Sequence, residues 1–395
     1  MNTLLKENIH WVGYIDWTVR DFHGYKTESG STYNAYLICD EKTAVIDAVK
    51  APYVEKYLDH IRAITPLEQI DFIVCNHAEP DHSGGLPAVM KACPQAELVC
   101  NAKCKKALEM HYDTSAWKWK VVEDGESLSL GQRTLQFINT PMAHWPESMF
   151  TYVPEEKLLF SMDAFGQHYA SAFRFDDEEP LDVILYEAKM YYANIIMLYS
   201  RPVTQVMARA ATLDIEMIAP SHGVIWRSHI KEIFSAYQDF AVCKPRPKVA
   251  IIYATMWKST EKMAQAILEG VQEFDVEALL FDVEATHATY IATEVLDSAA
   301  VAIGSSTLNN GIMPSMAGVL CYLKGLRPLG KSGFSFGSYG WSKSGGANEV
   351  EATLKEMKIE LLREPLRCQF VPTPEVLEAC RQAGRQLARH ALQFA

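Results

Sequence analysis

The chain has 395 residues, 49% of them hydrophobic and 22% charged, with a formal net charge of −12. That length exceeds one ordinary core and implies two domains of soluble globular composition, while the acidic balance argues against nucleic acid or an anionic membrane as partner. The start carries no apolar signal segment and no run reaches the length of a membrane span, and the nine cysteines include no Cys-x-x-Cys pair, so reduced thiols in a cytoplasm are expected rather than a disulfide framework or a four-cysteine metal knuckle.

Taken in order, the first 60 residues read as strands over Trp11–Ile15, Tyr33–Cys39 and Ala44–Asp47, followed by an amphipathic helix from Pro52 to Ile64. The apolar run Phe72-Ile73-Val74-Cys75 is a buried strand that ends in Asn76-His77-Ala78-Glu79-Pro80-Asp81-His82-Ser83-Gly84-Gly85. Two imidazoles and two carboxylates in six positions are too many polar groups to bury for packing alone. A helix near Pro87–Ala92, a strand at Leu98–Cys100, a helix from Lys103 to His111, and strands at Trp119–Val122 and Thr134–Ile138 follow. Single residues of the same kind then recur just past strands: His144 after Thr134–Ile138, Asp163 after Leu158–Phe160, and His222 after Glu216–Ile218. Each alone is an ordinary loop residue. Together they make seven potential metal ligands at four strand ends, where sheets of this kind gather functional loops.

At these residues the chain resembles the metallo-β-lactamase superfamily, whose loop reads His-x-His-x-Asp-His and is followed by a His, an Asp and a His. Glu79 replaces the second histidine, and His-x-Glu-x-Asp-His resembles the flavodiiron proteins. Zinc hydrolases keep nitrogen-rich sites, whereas mixed carboxylates and imidazoles suit iron. The resemblance implies that His77, Glu79 and His144 bind one iron, that Asp81, His82 and His222 bind a second, and that Asp163 bridges the two. Trp145, Phe165, Tyr186, Tyr191 and Tyr192 are candidates for walling off water, and His168, Tyr191 or Tyr192 for a polar group near the substrate.

A helix from Ile230 to Cys243 closes the first domain, and Lys244-Pro245-Arg246-Pro247-Lys248 reads as a linker. The continuous apolar strand Val249–Ala254 then leads through Thr255-Met256-Trp257-Lys258-Ser259-Thr260 to a helix from Glu261 to Phe274. A hydroxyl-rich loop before a helix N-terminus is a phosphate site in kind. It resembles the flavodoxin phosphate loop, with Lys258 where some relatives have glycine. Two more small-polar loops follow strands, Ser305-Ser306-Thr307-Leu308-Asn309-Asn310 after Ala299–Gly304 and Ser338-Tyr339-Gly340-Trp341 through Gly345-Gly346 after Phe334–Gly337. The second carries aromatics able to stack on a planar ring. Three such loops match an FMN site on a five-stranded doubly wound sheet, with later helices near 347–357 and 375–393.

The expected architecture is therefore a metallo-β-lactamase-like αββα sandwich over 1–243, a linker at 244–248, and a flavodoxin-like doubly wound parallel sheet over 249–395. The resemblance spans nearly the whole chain and implies an oxidoreductase with FMN and two irons that reduces dioxygen to water, nitric oxide to nitrous oxide, or both. Dioxygen needs four electrons and a nitric oxide pair needs two, which FMN and two ferrous ions can supply together. The family implies a rubredoxin-type donor as a separate protein, and a head-to-tail homodimer or dimer of dimers. Two other readings stand beside it: a zinc hydrolase with a fused flavodoxin-like module, and an electron carrier that uses the flavin domain alone.

Overall fold

The computed structural model describes residues 3–395, which divide into two compact units. One comprises the chain up to Tyr191 together with Arg201–Gln238, and the other comprises Tyr192–Ser200 and Asp239–Ala395.

The first unit holds two sheets. Seven strands run in the order Thr3–Lys6, Ile9–Trp11, Tyr36–Ile38, Thr43–Ile46, Ile70–Val74, Glu97–Asn101 and Lys118–Val122. The first four pair antiparallel and the last four parallel. Five more run Ser127–Ser129, Thr134–Asn139, Met149–Val153, Leu158–Met162 and Met217–Pro220. Alternate side chains of the central strands serve different cores, as the two-residue strand period requires. Ala44, Ile46, Phe72, Val74 and Val99 meet Phe137, Val153, Leu158 and Phe160 of the facing sheet. Val45, Ile73 and Leu98 instead join Val54, Leu58 and Ile61 of the helix Val54–Arg62 and Leu86 and Val89 of the helix Leu86–Ala92. Burial on both faces is why these strands read as unbroken apolar runs.

The strands expected over Trp11–Ile15 and Tyr33–Cys39 are each split. Gly13 lies so close to the backbone of Tyr33–Ala35 that no side chain would fit, and the chain bends there. Tyr14–Asp16 then pairs with Ser31–Tyr33 as a separate ribbon, while a second ribbon, Asp21–Phe22 with Tyr25–Lys26, carries His23 at its tip.

In the second unit the parallel strands run Glu277–Asp282, Arg246–Ala254, Ser298–Ser305 and Ser332–Tyr339, with the fifth position filled by two short pieces, Glu360–Leu361 and Leu366–Gln369. The second-first-third-fourth-fifth order is that of a flavodoxin-like sheet. Of residues 244–248, read as a linker, 246–248 belong to a strand. Arg246 already opens the long strand, its N–H bonded to Asp297 O at 2.8 Å, and Pro247 is tolerated because the register shifts between Arg246 and Val249. The helix Pro374–Ala391 packs on Ser259–Val271 through two glycines: a Cβ on Gly270 or Gly384 would run into the other helix's backbone. Arg381 and Arg385 pair across this seam with Glu269 and Glu273. Among the described residues no helix is long and apolar enough to cross a membrane.

Candidate functional site

Three strands of the five-stranded sheet, Thr134–Asn139, Leu158–Met162 and Met217–Pro220, run in the same direction, so their carboxyl ends share one edge. Loops from that edge bring His144, Asp163 and His222 together with His77, Glu79, Asp81 and His82, which follow Ile70–Val74. The last loop is fixed by a buried carboxylate: Asp47 accepts Asn76 N–H at 2.8 Å and Asn76 Nδ2 at 2.9 Å. Pro80 then starts the short helix Pro80–Ser83, which places Asp81 and His82 side by side. Non-glycine residues with left-handed backbone angles, Asp47, Met142 and Met162, lie beside these ligand loops.

The seven side chains form two groups around one shared carboxylate. His77 Nε2 and His144 Nε2 each lie 3.2 Å from Glu79 Oε2, and 3.5 and 3.2 Å from Asp163 Oδ2. His82 Nε2 and His222 Nε2 each lie 3.3 Å from Asp81 Oδ2, and 3.2 and 3.6 Å from Asp163 Oδ1. Bonds of about 2.1 Å to one ion would set ligand atoms about 3.0 Å apart in an octahedron and about 3.4 Å apart in a tetrahedron. The observed spacings, 3.2–3.6 Å, lie slightly above the octahedral value and around the tetrahedral one. His82 Nε2 and Asp163 Oδ2 are buried yet make no hydrogen bond, as expected of lone pairs directed at cations.

The remaining imidazole nitrogens are held from outside. His77 Nδ1 bonds Glu147 Oε1 at 2.7 Å, and the same oxygen accepts Ala78 N–H at 3.1 Å. His222 Nδ1 donates to Thr32 O at 2.6 Å. Each bond fixes the tautomer that turns Nε2 inward. Neither Glu147 nor Thr32 stands out in the sequence, because each partner is distant along the chain. The position of Glu147 three residues after His144 is the only local hint. Between metals and protons the cluster has a clear electrostatic bias. Burial alone would lower the His77 pKa, but Glu147, Glu79 and Asp163 push it up to about 9. Burial is likewise overcome at His82, raised to about 9 by Asp81 and Asp163, and at His144, raised to about 10 by Asp163 and Glu79. Burial would raise the carboxylates Glu79, Asp81 and Asp163, yet the surrounding imidazoles hold all three below their usual range. Such a site demands positive charge, and cations can supply it in place of protons.

Of the aromatics expected to wall the site, Trp145 lies edge-on to His77 at 5.0 Å, and Tyr191 lies 5.8 Å from His222. His168 packs 4.9 Å from His222, its Nδ1 on Ser31 Oγ at 2.8 Å, and burial holds its pKa well below the usual value. Three expectations fail. Phe165 packs on Phe234 and Tyr237, Tyr186 is 41% exposed, and Tyr192 belongs to the second unit, where it contacts Phe240. His23, not anticipated from the sequence, reaches Glu79 Oε1 at 3.4 Å from a side chain 64% exposed.

In the second unit a cavity of about 620 Å³ opens at the carboxyl edge of the parallel sheet. Met256, Trp257 and Ser259 line it from the first predicted loop, and Thr307, Asn309 and Asn310 from the second. Ser338, Tyr339, Gly340 and Trp341 line it from the third, and Trp257 and Trp341 are 88% and 93% exposed. Ser306 and Ser342 line it from within the second and third loops, and Phe370 and Val371 line it from outside all three. Phe370 and Val371 follow a strand fragment too short to show in the sequence. Thr255, Lys258, Thr260, Ser305, Leu308, Gly345 and Gly346, all predicted, stand back from the wall. The hydroxyl of Thr260 is taken by Ser306 Oγ at 2.9 Å and Ser338 Oγ at 3.0 Å, tying all three loops together, and Ser305 Oγ accepts Met313 N–H. Lys258 takes the left-handed turn, at φ +64°, that glycine would take more readily, and Gly345 and Gly346 also have positive φ. The helix Ser259–Val271 starts at the cavity, offering free N–H groups to an anion.

Comparison with known proteins agrees with both units. Residues 32–223 match the family described as ODP family beta lactamase, and residues 251–384 match flavodoxin. The chain is 44% identical over 390 residues to a nitric oxide reductase of Moorella thermoacetica, covering 97% of each. It is 40% identical to the anaerobic nitric oxide reductase flavorubredoxin of Salmonella arizonae, over 98% of this chain and 82% of the relative. Rubredoxin oxygen:oxidoreductase from Desulfovibrio gigas superposes with a TM-score of 0.97 at 38% identity, over 100% of this chain and 99% of the other. A flavodiiron protein from Giardia intestinalis gives the same TM-score at 37% identity, covering 100% and 97%. The αββα sandwich and the flavodoxin-like sheet are those of the family, and the cavity and the two ligand groups fit FMN and a pair of irons. On this full-length similarity the chain belongs to the flavodiiron proteins, a family of oxidoreductases.

Proposed function

We propose that this chain reduces nitric oxide to nitrous oxide, dioxygen to water, or both, at a diiron pair held by His77, Glu79 and His144 on one side and Asp81, His82 and His222 on the other. The observation that carries the reading is Asp163, whose two oxygens each face a different pair of imidazoles at 3.2–3.6 Å. One carboxylate shared in this way would hold two cations close enough for one diatomic molecule to meet both. When bound, the irons and FMN supply the two or four electrons the reactions need. The protein's own part is to place and shield. Glu147 and Thr32 orient two ligands, and Trp145 and Tyr191 keep water from the site. His168, uncharged through burial, adds no repulsion toward a cation at His222.

The proposed ligand set disfavours a zinc hydrolase, because each position combines two imidazoles with its own carboxylate and a share of Asp163. Electrons would arrive from a rubredoxin-type donor. The exposed Trp257 and Trp341 at the flavin cavity support a head-to-tail homodimer or dimer of dimers in which a second chain covers them. Nine free thiols support a reducing, cytoplasmic setting. The deciding experiment is anaerobic reduction of the iron- and FMN-loaded protein, followed by stopped-flow mixing with each gas in turn. Oxidation by either gas with matching product supports the reading. Protein that carries two zincs when both metals are offered, and is oxidised by neither gas, overturns it.

A further inference from the structure

A line of stacked aromatic rings leaves the metal centre on the side of His222. The Tyr33 ring lies 5.8 Å from that of His222, Tyr53 stacks on Tyr33 at 5.7 Å, and Tyr14 stacks on Tyr53 at 3.9 Å, the two planes within 9°. Tyr33 is fully buried, whereas Tyr53 and Tyr14 reach solvent in part. Packing alone accounts for stacked rings. It does not account for the charges placed along the line. Tyr53 donates its phenol hydrogen to Asp16 Oδ2 at 2.7 Å, and Asp16 is buried. Burial would raise the Asp16 pKa, but bonds from Tyr53, Thr18 and Val19 outweigh it and keep the carboxylate ionised and ready to receive a proton. At the inner end the Lys50 ammonium sits 4.8 Å over the Tyr33 ring. A cation there makes positive charge on Tyr33 unfavourable; the Asp16 carboxylate bears on Tyr33 too, but it takes the hydroxyl hydrogen of Tyr53, so an electron vacancy is drawn from Tyr33 to Tyr53.

We propose that Tyr33, Tyr53 and Tyr14 are an escape route that carries an oxidising equivalent from the metal centre to the surface when too few electrons are available. The inference rests on the reading that the centre meets dioxygen. If dioxygen arrives when fewer than four electrons are on hand, reduction stops at the level of peroxide. Where the ions would supply only one further electron to peroxide, one more is needed. Tyrosine supplies it: hydrogen peroxide, the two electrons and two protons give two waters as the O–O bond breaks. The phenol that lost the electron passes its proton to Asp16 and becomes a neutral radical. Tyr14 then gives an electron to the Tyr53 radical, Asp16 returns its proton to Tyr53, and Tyr14, which reaches solvent in part, loses its own proton to water and becomes the neutral radical. There a thiol in solution gives a hydrogen atom, restoring the phenol, and two thiyl radicals pair as a disulfide. Without the route the vacancy would fall on the ligands themselves.

The test uses full-length protein loaded with iron and FMN, reduced by one electron per iron pair and mixed with hydrogen peroxide. Freeze-quench electron paramagnetic resonance reads the radical, and a spin trap followed by peptide mass spectrometry locates it. The expected result is a tyrosyl signal with trap attached to Tyr14. Tyr53→Phe keeps the ring and the stacking but removes the proton path. It should cut trapping at Tyr14 several-fold and raise oxidation of the His222 peptide several-fold, with iron content and the initial gas-reduction rate unchanged. Tyr14→Phe should move the trap to Tyr53. Unchanged trapping in Tyr53→Phe, a radical on Tyr25, Tyr191 or Trp145 instead, or no radical in the native protein would each overturn the proposal. Because peroxide is supplied directly, a protein that consumes only nitric oxide still gives the radical if the route exists. Failure of the dioxygen reading is thus separable from failure of this one.

Discussion

Glu147 offers the sharpest test of how the site is built, because it touches a proposed ligand without being one. Its Oε1 accepts from both His77 Nδ1 and Ala78 N–H, and its side chain is 2% exposed. Burial would raise its pKa, but the bond to His77 outweighs this and keeps it ionised. Glu147→Gln preserves an acceptor oxygen at nearly the same place and removes the charge. Outer carboxylates on metal-bound histidines are worth about 10–100-fold in metal affinity, or about 1.4–2.7 kcal/mol. Glu147→Ala removes the acceptor as well and strands two buried donors at about 1–3 kcal/mol each, so it should cost stability by about 2–6 kcal/mol. The assay is competition for ferrous iron against a chelator of known affinity, followed by urea unfolding of each variant. The expected pattern is one weakened iron of two in Glu147→Gln with folding nearly unchanged, and loss of both affinity and stability in Glu147→Ala. Native affinity for both ions in Glu147→Gln would refute the argument that this carboxylate acts through His77.

Three further outcomes follow from the same structure. Asp47→Asn keeps a residue that tolerates the left-handed φ of +59° but sets an amide NH₂ against one of the two donors of Asn76, so unfolding should show a loss of about 1–3 kcal/mol and iron content should fall. Thr260→Val removes the hydroxyl shared with Ser306 and Ser338, and FMN should bind about tenfold more weakly for each 1.4 kcal/mol lost, as read by recovery of flavin fluorescence on dilution. In metal-free protein the folded pKa values of His77, His82 and His144, about 9, 9 and 10, lie above the ordinary 6.5. Their stabilisation is therefore complete below pH 6.5 and is lost as pH rises through 9 to 10. The depressed carboxylates Glu79, Asp81 and Asp163 act oppositely, and their contribution is lost as pH falls below the ordinary carboxylate range. The melting temperature of chelator-treated protein should decline on the alkaline side while that of iron-loaded protein stays level, and parallel curves would contradict this.

What could be read from the sequence was whatever is local along the chain. The seven residues of the proposed metal site announce themselves because each follows an apolar strand, and the strand itself fixes where the loop emerges. The candidate phosphate loop is legible for the same reason. Contacts made across the fold are not. Glu147 and Thr32 act on histidines 70 and 190 residues away, and nothing near either residue specifies the partner. Tyr191 and Tyr192 are equivalent in the sequence, yet a shift from α-helix to a wider π-turn at Tyr192 sends one toward His222 and the other into a different unit. The linker reading failed because prolines at 245 and 247 signal a break, and only the bulge between Arg246 and Val249 shows that the strand absorbs one of them.

The two outward imidazole bonds have a consequence for how electrons would leave the proposed pair. The inner donor sets are matched, two imidazoles and one carboxylate each with Asp163 between them. Behind them the match ends, since His77 leans on the anion of Glu147 and His222 on the neutral carbonyl of Thr32. An anion in the second layer stabilises the higher oxidation state of the ion in front of it. The two positions would therefore have unequal potentials, the one at His77 lower. A half-oxidised pair would hold its vacancy there rather than share it, and the centre would give up its electrons in a set order.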